Sequence, residues 1–449
     1  MNNLIKIYRQ IRFGQRFYAA LTALILLLVF SYSFPVLYEP AISFLYVFLL
    51  GLLVETFLLF RHETPLTGNR HAHYSKLSNG DENEVVLTIE NFYSFPVDVS
   101  IIDELPFQLQ ERNFLITTWL KPAQQKSFSY KVRPVERGEY HFGKLNLVVG
   151  IRVTGFLLRH FTTAENFKMA CYPSFLKLRQ YELMAISNRL TELGIKKVRR
   201  IGHSTEFEQI KEYVTGDDVR TINWKATARR VSLMVNHYRE ERAQNVYSVV
   251  DMGRIMKMPF EKMTLLDYAI NASLVIGHVA WIKQDKPGLI CFSDKVNIHI
   301  GADRKGNQLL RLQEGLYNAS TDFGESNYEK LLSHISTKIT QRSLILLYTN
   351  FETLNGLKRQ IRYLRRIAAK HLVVVVFFEN TELKGLLGKP ATDTLEIYEQ
   401  TIAQKFDYEK RQISRELKQF GIMSVYTPPA NLTVNSLNKY LEIKTRGLI

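Results

Sequence analysis

Cysteine is scarce in this sequence, and its scarcity argues against several kinds of site. The chain has 449 residues and two cysteines, Cys171 and Cys291, which lie far apart. No CxxC pair occurs, which argues against a disulfide framework and a thiolate metal site. Both residues are predicted to be buried thiols in a reducing compartment. A phosphate loop of the GxxxxGKS or GxxxxGKT type is also missing, which argues against nucleotide hydrolysis by this chain.

Acidic residues are few relative to basic ones. Asp and Glu number 43 against 59 Lys and Arg, which gives a formal net charge of +16 at pH 7. Such a balance favours anionic partners, among them phospholipid headgroups, nucleic acids and acidic proteins. Hydrophobic residues make up 46% of the chain and aromatic residues 12%, which excludes a disordered chain. The length leaves room for more than one domain.

Two long apolar runs stand near the N-terminus. They cover residues 17–34 and 41–60, and only Glu55 interrupts the second. Each has about the length that crosses the hydrocarbon core of a bilayer as a helix. Since only a short turn separates them, we predict a transmembrane hairpin. A cleaved signal peptide is the alternative for the first run, because Ser31 and Ser33 have a possible cleavage spacing.

Basic residues flank this pair of runs on both sides. Those before the first run and after the second are Lys6, Arg9, Arg12, Arg16 and Arg61. By the positive-inside rule both ends lie in the cytoplasm. The sequence therefore predicts a multi-pass protein of the cytoplasmic membrane whose remaining domains face the cytoplasm.

We predict a multidomain chain with four parts. Residues 1–62 form the transmembrane hairpin, and residues 63–172 form an all-β domain, because short alternating strands near 84–91, 97–102, 127–132 and 140–149 are separated by turn residues. An immunoglobulin-like sandwich fits this spacing. Residues 173–205 read as a helical linker that ends in the basic run 196–200, for which contact with the anionic inner leaflet is the functional interpretation.

Residues 206–449 contain the fourth part, in which apolar strands alternate with helices. Strands are predicted at 246–251, 288–293, 343–349, 372–378 and 423–427, with helices at 265–282, 328–339, 357–370, 394–420 and 432–444. Continuous apolar strands between helices indicate a mainly parallel, doubly wound α/β sheet. Ligands of such sheets bind at the carboxyl ends of the strands.

The block 206–242 concentrates charge around a glycine and a tryptophan. Its candidate interaction residues are Gly216, Asp217, Asp218, Arg220, Asn223, Trp224, Lys225 and Arg229. A turn at 214–217 is predicted to lead into a short helix over 219–230, capped by Asp217 or Asp218, and then into a strand over 233–239. Two interpretations stay open: a structural latch, in which the charges pair and Trp224 anchors the helix in a core, or a binding surface or active site.

This block resembles a known family. The sequence EFEQIKEYVTGDDVRTINWKATARR, followed by LMVN and VVDMGR, is similar to domain-of-unknown-function family 58 (DUF58), as are PVERGEYHFGKLNLVV at 134–149 and CYPSF at 171–175. The resemblance implies a bacterial membrane protein with a von Willebrand factor A-like domain. It also implies a partner, a MoxR-type AAA+ ATPase, because many members are encoded beside one.

The resemblance further directs attention to a metal-site motif. Metal-binding von Willebrand A domains end their first strand in Asp-x-Ser-x-Ser, whereas this chain has Asp251, Gly253 and Ile255 at those positions. Thr264 and Asn350 stand in place of the family's threonine and second-loop aspartate. Because a hard cation needs several oxygen ligands, we expect a degenerate site that holds no metal and serves, if at all, as a docking surface.

Three functions of different classes follow. The preferred one is a membrane-anchored interaction or scaffold protein without catalytic residues or cofactors, which binds a MoxR-type AAA+ ATPase in complex assembly or envelope stress. A metal-dependent hydrolase that uses Asp251, Asp217 or Asp218 is the second. The third is binding of nucleic acid or anionic lipid through a basic surface such as the helix at 357–370, although we expect membrane lipids and no nucleic acid as partners. The oligomeric state stays open.

Overall fold

The computed structural model describes residues 10–62, 64–72, 74–164, 167–176, 178, 181, 206–215, 217–230, 232–239, 243–387 and 393–448. The predicted helical linker and its basic run at 196–200 therefore lie almost entirely outside the described residues. The chain divides into two compact units, Met1–Tyr172 and Pro173–Ile449.

The first unit begins with two apolar helices. They are α1 (Gln15–Ser33) and α2 (Tyr38–Phe60), joined by a single 3-10 turn at Pro35–Leu37. Both are long and apolar enough to cross a membrane. Only 11% and 17% of their most apolar stretches are buried, against 72% for the similarly apolar helix Leu265–Ile282 of the second unit. The first two helices thus expose to their surroundings the side chains that a soluble fold would bury.

The rest of the first unit is β-rich. Its strands are β1 (Ile11–Phe13), β2 (Leu66–Ala72), β3 (Leu77–Ser78), β4 (Asn83–Asn91), β5 (Val97–Asp103), β6 (Ile116–Leu120), β7 (Gln125–Val132), β8 (Gly138–Phe142), β9 (Leu145–Ile151), β10 (Leu157–Ala164) and β11 (Phe167–Tyr172). They form three sheets, with the orders β1-β10-β9-β5-β6, β2-β4-β7 and β3-β11-β8. Inward residues of the first two sheets share one hydrophobic core with Leu59 of α2. The predicted β-rich region is confirmed.

One predicted strand of this region is in fact two. The alternation at 140–149 continues across β8 and β9, but the chain turns at Gly143 and Lys144. Gly143 donates its N–H to the Glu104 carbonyl at 2.8 Å, and Lys144 donates to the Glu104 carboxylate at 2.9 Å. Because these two N–H groups bond to Glu104, they cannot pair with an adjacent strand, and the strand ends there.

Both ends of the helix pair are fastened to the β-rich region. Before α1, β1 pairs antiparallel with β10. After α2, the guanidinium of Arg159 on β10 donates to the carbonyls of Leu59 at 2.7 Å and His62 at 2.8 Å. The hydroxyl of Tyr93 also donates to the Leu59 carbonyl, at 2.8 Å. The start of α1 and the end of α2 therefore lie near each other, and the same sheet holds both.

The second unit contains the block and the α/β region. Its strands are β12 (Glu206–Glu212), β13 (Met234–Arg239), β14 (Asn245–Asp251), β15 (Pro259–Phe260), β16 (Met263–Thr264), β17 (Lys286–Phe292), β18 (Val296–Ile300), β19 (Leu344–Tyr348), β20 (Leu372–Phe378) and β21 (Met423–Thr427). Its helices are α3 (Trp224–Thr227), α4 (Leu265–Ile282), α5 (Gln308–Tyr317), α6 (Tyr328–Lys338), α7 (Leu354–Ala368), α8 (Thr381–Leu387), α9 (Thr394–Gln419) and α10 (Leu432–Thr445).

A six-stranded sheet forms the centre of the α/β region. Its order is β18-β17-β14-β19-β20-β21, and every pair is parallel except β17 with β18. Hydrophobic clusters lie on both faces, one built on α4 and α10 and the other on α6, α7 and α9. The predicted doubly wound α/β region is confirmed. The antiparallel edge strand β18 and helix α5 were not predicted, because neither segment has a continuous apolar run.

The helix predicted over 219–230 is not formed. The chain makes a 3-10 turn at Val219–Thr221 and then the single helical turn α3. Between them Ile222 bridges to Val235, and Asn223 donates its N–H to the Met234 carbonyl at 2.8 Å. These two residues take extended backbone conformations because they pair with β13, and a continuous helix cannot pass through them.

Candidate functional site

The block folds as a hairpin whose connection is held by its own polar side chains. β12 pairs antiparallel with β13. Asp217 accepts the Val214 N–H at 3.1 Å and forms an ion pair with Lys211 at 2.9 Å. Gly216, the predicted turn glycine, lies outside the described residues. The strand predicted at 233–239 is confirmed, but β12 was not predicted because the charges of 206–212 mask its alternation.

Asp218 and Asn223 cap the two short turns of the connection. The carboxylate of Asp218 accepts the Arg220 N–H at 2.9 Å. The side-chain oxygen of Asn223 accepts the Ala226 N–H at 3.0 Å, and its amide group donates to Asn236 at 2.7 Å. Caps of this kind satisfy N–H groups that a short helix leaves without partners. They fix the backbone on either side of Trp224.

Trp224 points away from any core. Its side chain is 71% exposed, so the interpretation in which it anchors a helix in a core is wrong. Further apolar side chains of the connection and its strands are also exposed, namely Ile210, Val214, Val219 and Leu233. We call Trp224 and these four residues the block surface. A hairpin that displays an indole and four aliphatic side chains has the composition of an interface and not of a solvated loop.

The same segment carries exposed cations. Arg220, Lys225 and Arg229 are exposed, and in the part of the chain that the structure describes none of the three is paired with a carboxylate. The two aspartates of the connection are engaged locally, Asp217 with Lys211 and Asp218 with the backbone. The segment thus combines exposed apolar side chains with three exposed cations, which we call its positive rim.

The second candidate site lies at the carboxyl end of the central strand β14. Asp251 is fully buried and accepts four hydrogen bonds. One oxygen accepts from the Gly253 N–H at 2.9 Å and from the Ser326 hydroxyl. The other accepts from the hydroxyls of Thr349 at 2.7 Å and Tyr328 at 3.1 Å. Burial raises the pKa of Asp251, although the four hydrogen bonds act in the opposite direction.

Gly253 allows this arrangement because its lack of a side chain lets the loop after β14 approach the loop before α6. A Cβ atom there would lie 1.9 Å from the Ser326 hydroxyl oxygen and 3.1 Å from the Asp251 carboxylate. The loops are joined further by the Arg254 N–H, which donates to the Gly324 carbonyl at 2.8 Å, and by the Thr321 hydroxyl, which donates to the Met252 carbonyl at 2.7 Å. The side chain of Ser326 therefore closes over the carboxylate.

The remaining metal-site positions do not converge on Asp251. Ile255 packs against the hydrophobic core. Thr264 caps α4 by accepting the Asp267 N–H at 3.2 Å and donates to the Asp267 carboxylate at 2.6 Å. The side-chain oxygen of Asn350 accepts from the ammonium of Lys410 at 2.6 Å. Among the described residues no group of three His, Cys, Asp or Glu side chains could hold a metal ion, and each oxygen that the family would offer to a cation already has a protein partner.

Four residues of this site were not found by sequence reasoning. Ser326, Tyr328, Thr349 and Lys410 belong to segments 75 to 159 residues after Asp251, and their types are common in loops and helices. Only the sheet order brings them together. The place of Thr349 at this site could have been predicted from the sequence, because it follows β19 directly and β19 is the neighbour of β14.

The basic helix predicted at 357–370 is α7. It buries Leu357, Leu364 and Ile367 and turns its arginines outward. Arg362 lies over the ring of Tyr363 at 4.5 Å and Arg365 over the ring of Phe420 at 4.8 Å. Guanidinium groups that cover aromatic rings in this way stabilise the helix surface. This geometry agrees with the solvated face that an amphipathic surface helix presents.

Comparison with known proteins bears on the same segment. Residues 209–415 match the family model described as "Protein of unknown function DUF58". The uncharacterized protein YeaD of Bacillus subtilis (strain 168) is 24% identical over 217 residues, which are 46% of this chain and 52% of YeaD. The match thus spans about half the length of that relative.

Solved structures show more distant similarity. The conserved hypothetical protein BatB from Bacteroides thetaiotaomicron is 13% identical, with a TM-score of 0.31, and the match covers 45% of this chain and 98% of that protein. An aerotolerance-related membrane protein from Bacteroides fragilis is also 13% identical over 45% of this chain and 98% of its own, with a TM-score of 0.27.

The family match begins within β12 and ends within α9. It includes the whole block surface, Asp251 with its four donors, and Lys410. Both candidate sites therefore lie in the part of the chain that the family model recognises. The resemblance seen in the sequence is confirmed, because residues 209–415 match the model of the DUF58 family of proteins of unknown function.

Proposed function

We propose that this chain is a membrane-anchored interaction protein. In this proposal α1 and α2 form a hairpin through the bacterial inner membrane and the β-rich region is an immunoglobulin-like spacer. The β-rich region and the second unit face the cytoplasm. The common attachment of the two helix ends to β10 supports this topology, because ends held by one sheet lie on one side of the bilayer. The positive flanks favour the cytoplasmic side.

The partner we propose is a MoxR-type AAA+ ATPase, bound through the block surface in the assembly of complexes or in the response to envelope stress. The observation that carries the proposal is Trp224, 71% exposed on a backbone that hydrogen bonds hold in place. Exposed tryptophan and arginine side chains dominate the binding energy of protein interfaces, and a backbone that is already ordered loses little entropy on binding. The positive rim calls for an acidic face on the partner.

The proposed role is non-catalytic. Asp251 is enclosed by four donors and has no exposed surface. Asp217 is paired with Lys211, and Asp218 caps a turn. The hydroxyls beside Asp251, those of Ser326, Tyr328 and Thr349, donate to its carboxylate and so enclose it. This arrangement supports binding over hydrolysis.

Binding of the purified ATPase from the same organism to the full-length chain in lipid nanodiscs tests the proposal. Trp224→Ala is expected to weaken binding by about 2 kcal/mol or more, roughly thirtyfold in Kd, as removal of a central interface tryptophan does. Arg229→Glu is expected to slow association, with a larger effect at low salt.

Trp119→Ala is the matched control, because Trp119 is an exposed tryptophan of the other unit (41%). It should leave Kd unchanged. An ATPase that does not bind the wild-type chain, or that binds the Trp224 and Trp119 variants equally well, contradicts the proposal.

A further inference from the structure

A pocket of about 250 Å³ lies at the carboxyl ends of β19, β20 and β21. Helices α8 and α9 and the segment around β15 form its other walls. Its apolar lining residues are Met258, Pro259, Phe260, Leu265, Phe378, Leu383, Leu387, Ala403 and Phe406. An aliphatic cavity of about 150 Å³ holds benzene, so this pocket has room for a somewhat larger molecule. Its place in the sheet is the one where α/β folds bind ligands.

Lys410 brings a buried charge to this apolar pocket. Its side chain lines the pocket, and the residue is 8% exposed. The ammonium donates to the Asn350 side chain at 2.6 Å. An ammonium has three donors, and no second acceptor lies within hydrogen-bond distance of it among the described residues. Two donors are thus left to something that enters the pocket.

The acidic lining residues do not neutralise Lys410 at close range. Glu379 is paired with Lys384 at 2.7 Å, and Asp407 with Arg411 at 2.9 Å. Glu352 is exposed and acts on Lys410 only through its charge. Burial lowers the pKa of Lys410 to about 8, against the opposing effect of Glu352. At neutral pH the side chain is therefore a buried cation without a carboxylate in contact, a state that an anion in the pocket would stabilise.

We propose that this pocket binds a small monocarboxylate, whose carboxylate accepts hydrogen bonds from the ammonium of Lys410 and whose short aliphatic or aromatic body lies among the apolar lining residues. Asn350 holds the ammonium in position through its side-chain oxygen. The pocket is separate from the block surface, so this inference does not depend on the proposed partner.

Calorimetric titration of hexanoate into the full-length chain in nanodiscs tests the inference, with empty nanodiscs as the blank. The wild type is expected to bind hexanoate and to bind hexanamide, which has the same shape without the charge, at least tenfold more weakly. Lys410→Met keeps an unbranched side chain, one atom shorter and without the charge, and should lower the affinity for hexanoate at least tenfold. It should bring hexanoate and hexanamide to similar affinities.

Two further variants separate the pocket from general effects. Ala403→Leu fills the apolar part and should abolish binding of both compounds. Lys418→Met removes an exposed lysine from the same helix and should leave binding unchanged. Hexanoate affinity of the wild type should also fall between pH 7 and pH 9.5, as the ammonium loses its proton, while the Lys410 variant shows no such change.

Failure of hexanoate to bind the wild type at millimolar concentration would overturn the inference. Equal binding by Lys410→Met and wild type, or equal losses in Lys410→Met and Lys418→Met, would overturn it as well. Circular dichroism on each variant shows whether it is folded. A misfolded Lys410→Met variant is replaced by Lys410→Gln, which must show the same loss for the inference to stand.

Discussion

Gly253 allows two loops to meet because its side chain is a single hydrogen atom. Its backbone has φ −79° and ψ 178°, a conformation open to any residue, so the requirement for glycine comes from contact alone. A methyl group would collide with Ser326. We expect Gly253→Ala to lower the free energy of unfolding of the α/β region by about 1–3 kcal/mol, the cost of overpacking. Urea denaturation followed through the fluorescence of Trp281 on α4 measures it.

Gly301→Ala is the control for this substitution, because a Cβ atom there meets nothing within 4 Å. It should be neutral or slightly stabilising, since alanine reduces the entropy of the unfolded chain. Similar losses for the two variants would show that the close approach of Ser326 to Gly253 has no energetic consequence.

Thr349 supplies a hydrogen bond to a fully buried carboxylate. Thr349→Val keeps the shape of the side chain but removes the hydroxyl that donates to Asp251 and contacts the Tyr328 hydroxyl at 2.8 Å. We expect a loss of about 1–3 kcal/mol in the free energy of unfolding, because a buried acceptor loses a donor. The double variant Thr349→Val with Asp251→Asn should lose less than the sum of the single losses. Additive losses would contradict the coupling.

His371 makes the stability of the α/β region depend on pH. The residue is 5% exposed, and both ring nitrogens are without a hydrogen-bond partner in the described part of the chain. Burial, with a smaller effect from Lys370, lowers its pKa below the ordinary 6.5. The unfolded chain therefore binds more protons than the folded one near that pH, so stability is full above pH 6.5 and falls as the solution becomes more acidic.

His371→Phe should remove this contribution. We expect the free energy of unfolding of the variant to change less between pH 7.5 and pH 5 than that of the wild type, with Trp281 fluorescence as the readout. An equally steep loss in both proteins would assign the acid sensitivity to other groups, such as His299 and His334, whose pKa values burial also lowers.

At the scale of elements, the junction between α2 and the β-rich region depends on Arg159. Its guanidinium is almost fully buried and donates to two carbonyls at the end of α2. Arg159→Met should leave those carbonyls short of donors and open the segment around Arg61 more often. We expect tryptic cleavage after Arg61 in isolated membranes to speed up about tenfold, which corresponds to about 1.4 kcal/mol.

Arg112→Met serves as the comparison, because Arg112 is an exposed arginine of the same unit. Its cleavage rate at Arg61 should equal that of the wild type. If Arg159→Met is cleaved no faster than Arg112→Met, other contacts of α2, such as Leu59 in the core, hold the junction closed.

At the scale of the whole molecule, the proposed topology predicts which positions a reagent outside the cell reaches. Cys171 and Cys291 have no exposed surface, so neither should react with a thiol reagent. Val36→Cys, between the two apolar helices and 86% exposed, should react with a membrane-impermeant maleimide on spheroplasts. Phe107→Cys, equally exposed but in the β-rich region, should react only after lysis. Labelling of Phe107→Cys before lysis would place that region outside the cytoplasm.

Local sequence determined those features that depend on composition and period alone. The two apolar helices were predicted from the length of their hydrophobic runs, because a run of about twenty apolar residues spans the hydrocarbon core of a bilayer. Strands such as β20 and helices such as α4 were predicted to the residue, because continuous apolar runs and turn residues mark them. Both cysteines, predicted to be buried thiols, are buried.

Tertiary structure alone decided the candidate sites. Asp251 gathers donors from Ser326, Tyr328 and Thr349, and Lys410 reaches Asn350 across 60 residues, because the order of the sheet places their segments side by side. Trp224 is exposed because pairing with β13 draws Ile222 and Asn223 into extended backbone and leaves too few residues for a helix that could bury the indole. Periodicity is a property of neighbours in sequence, whereas a site is made by neighbours in space.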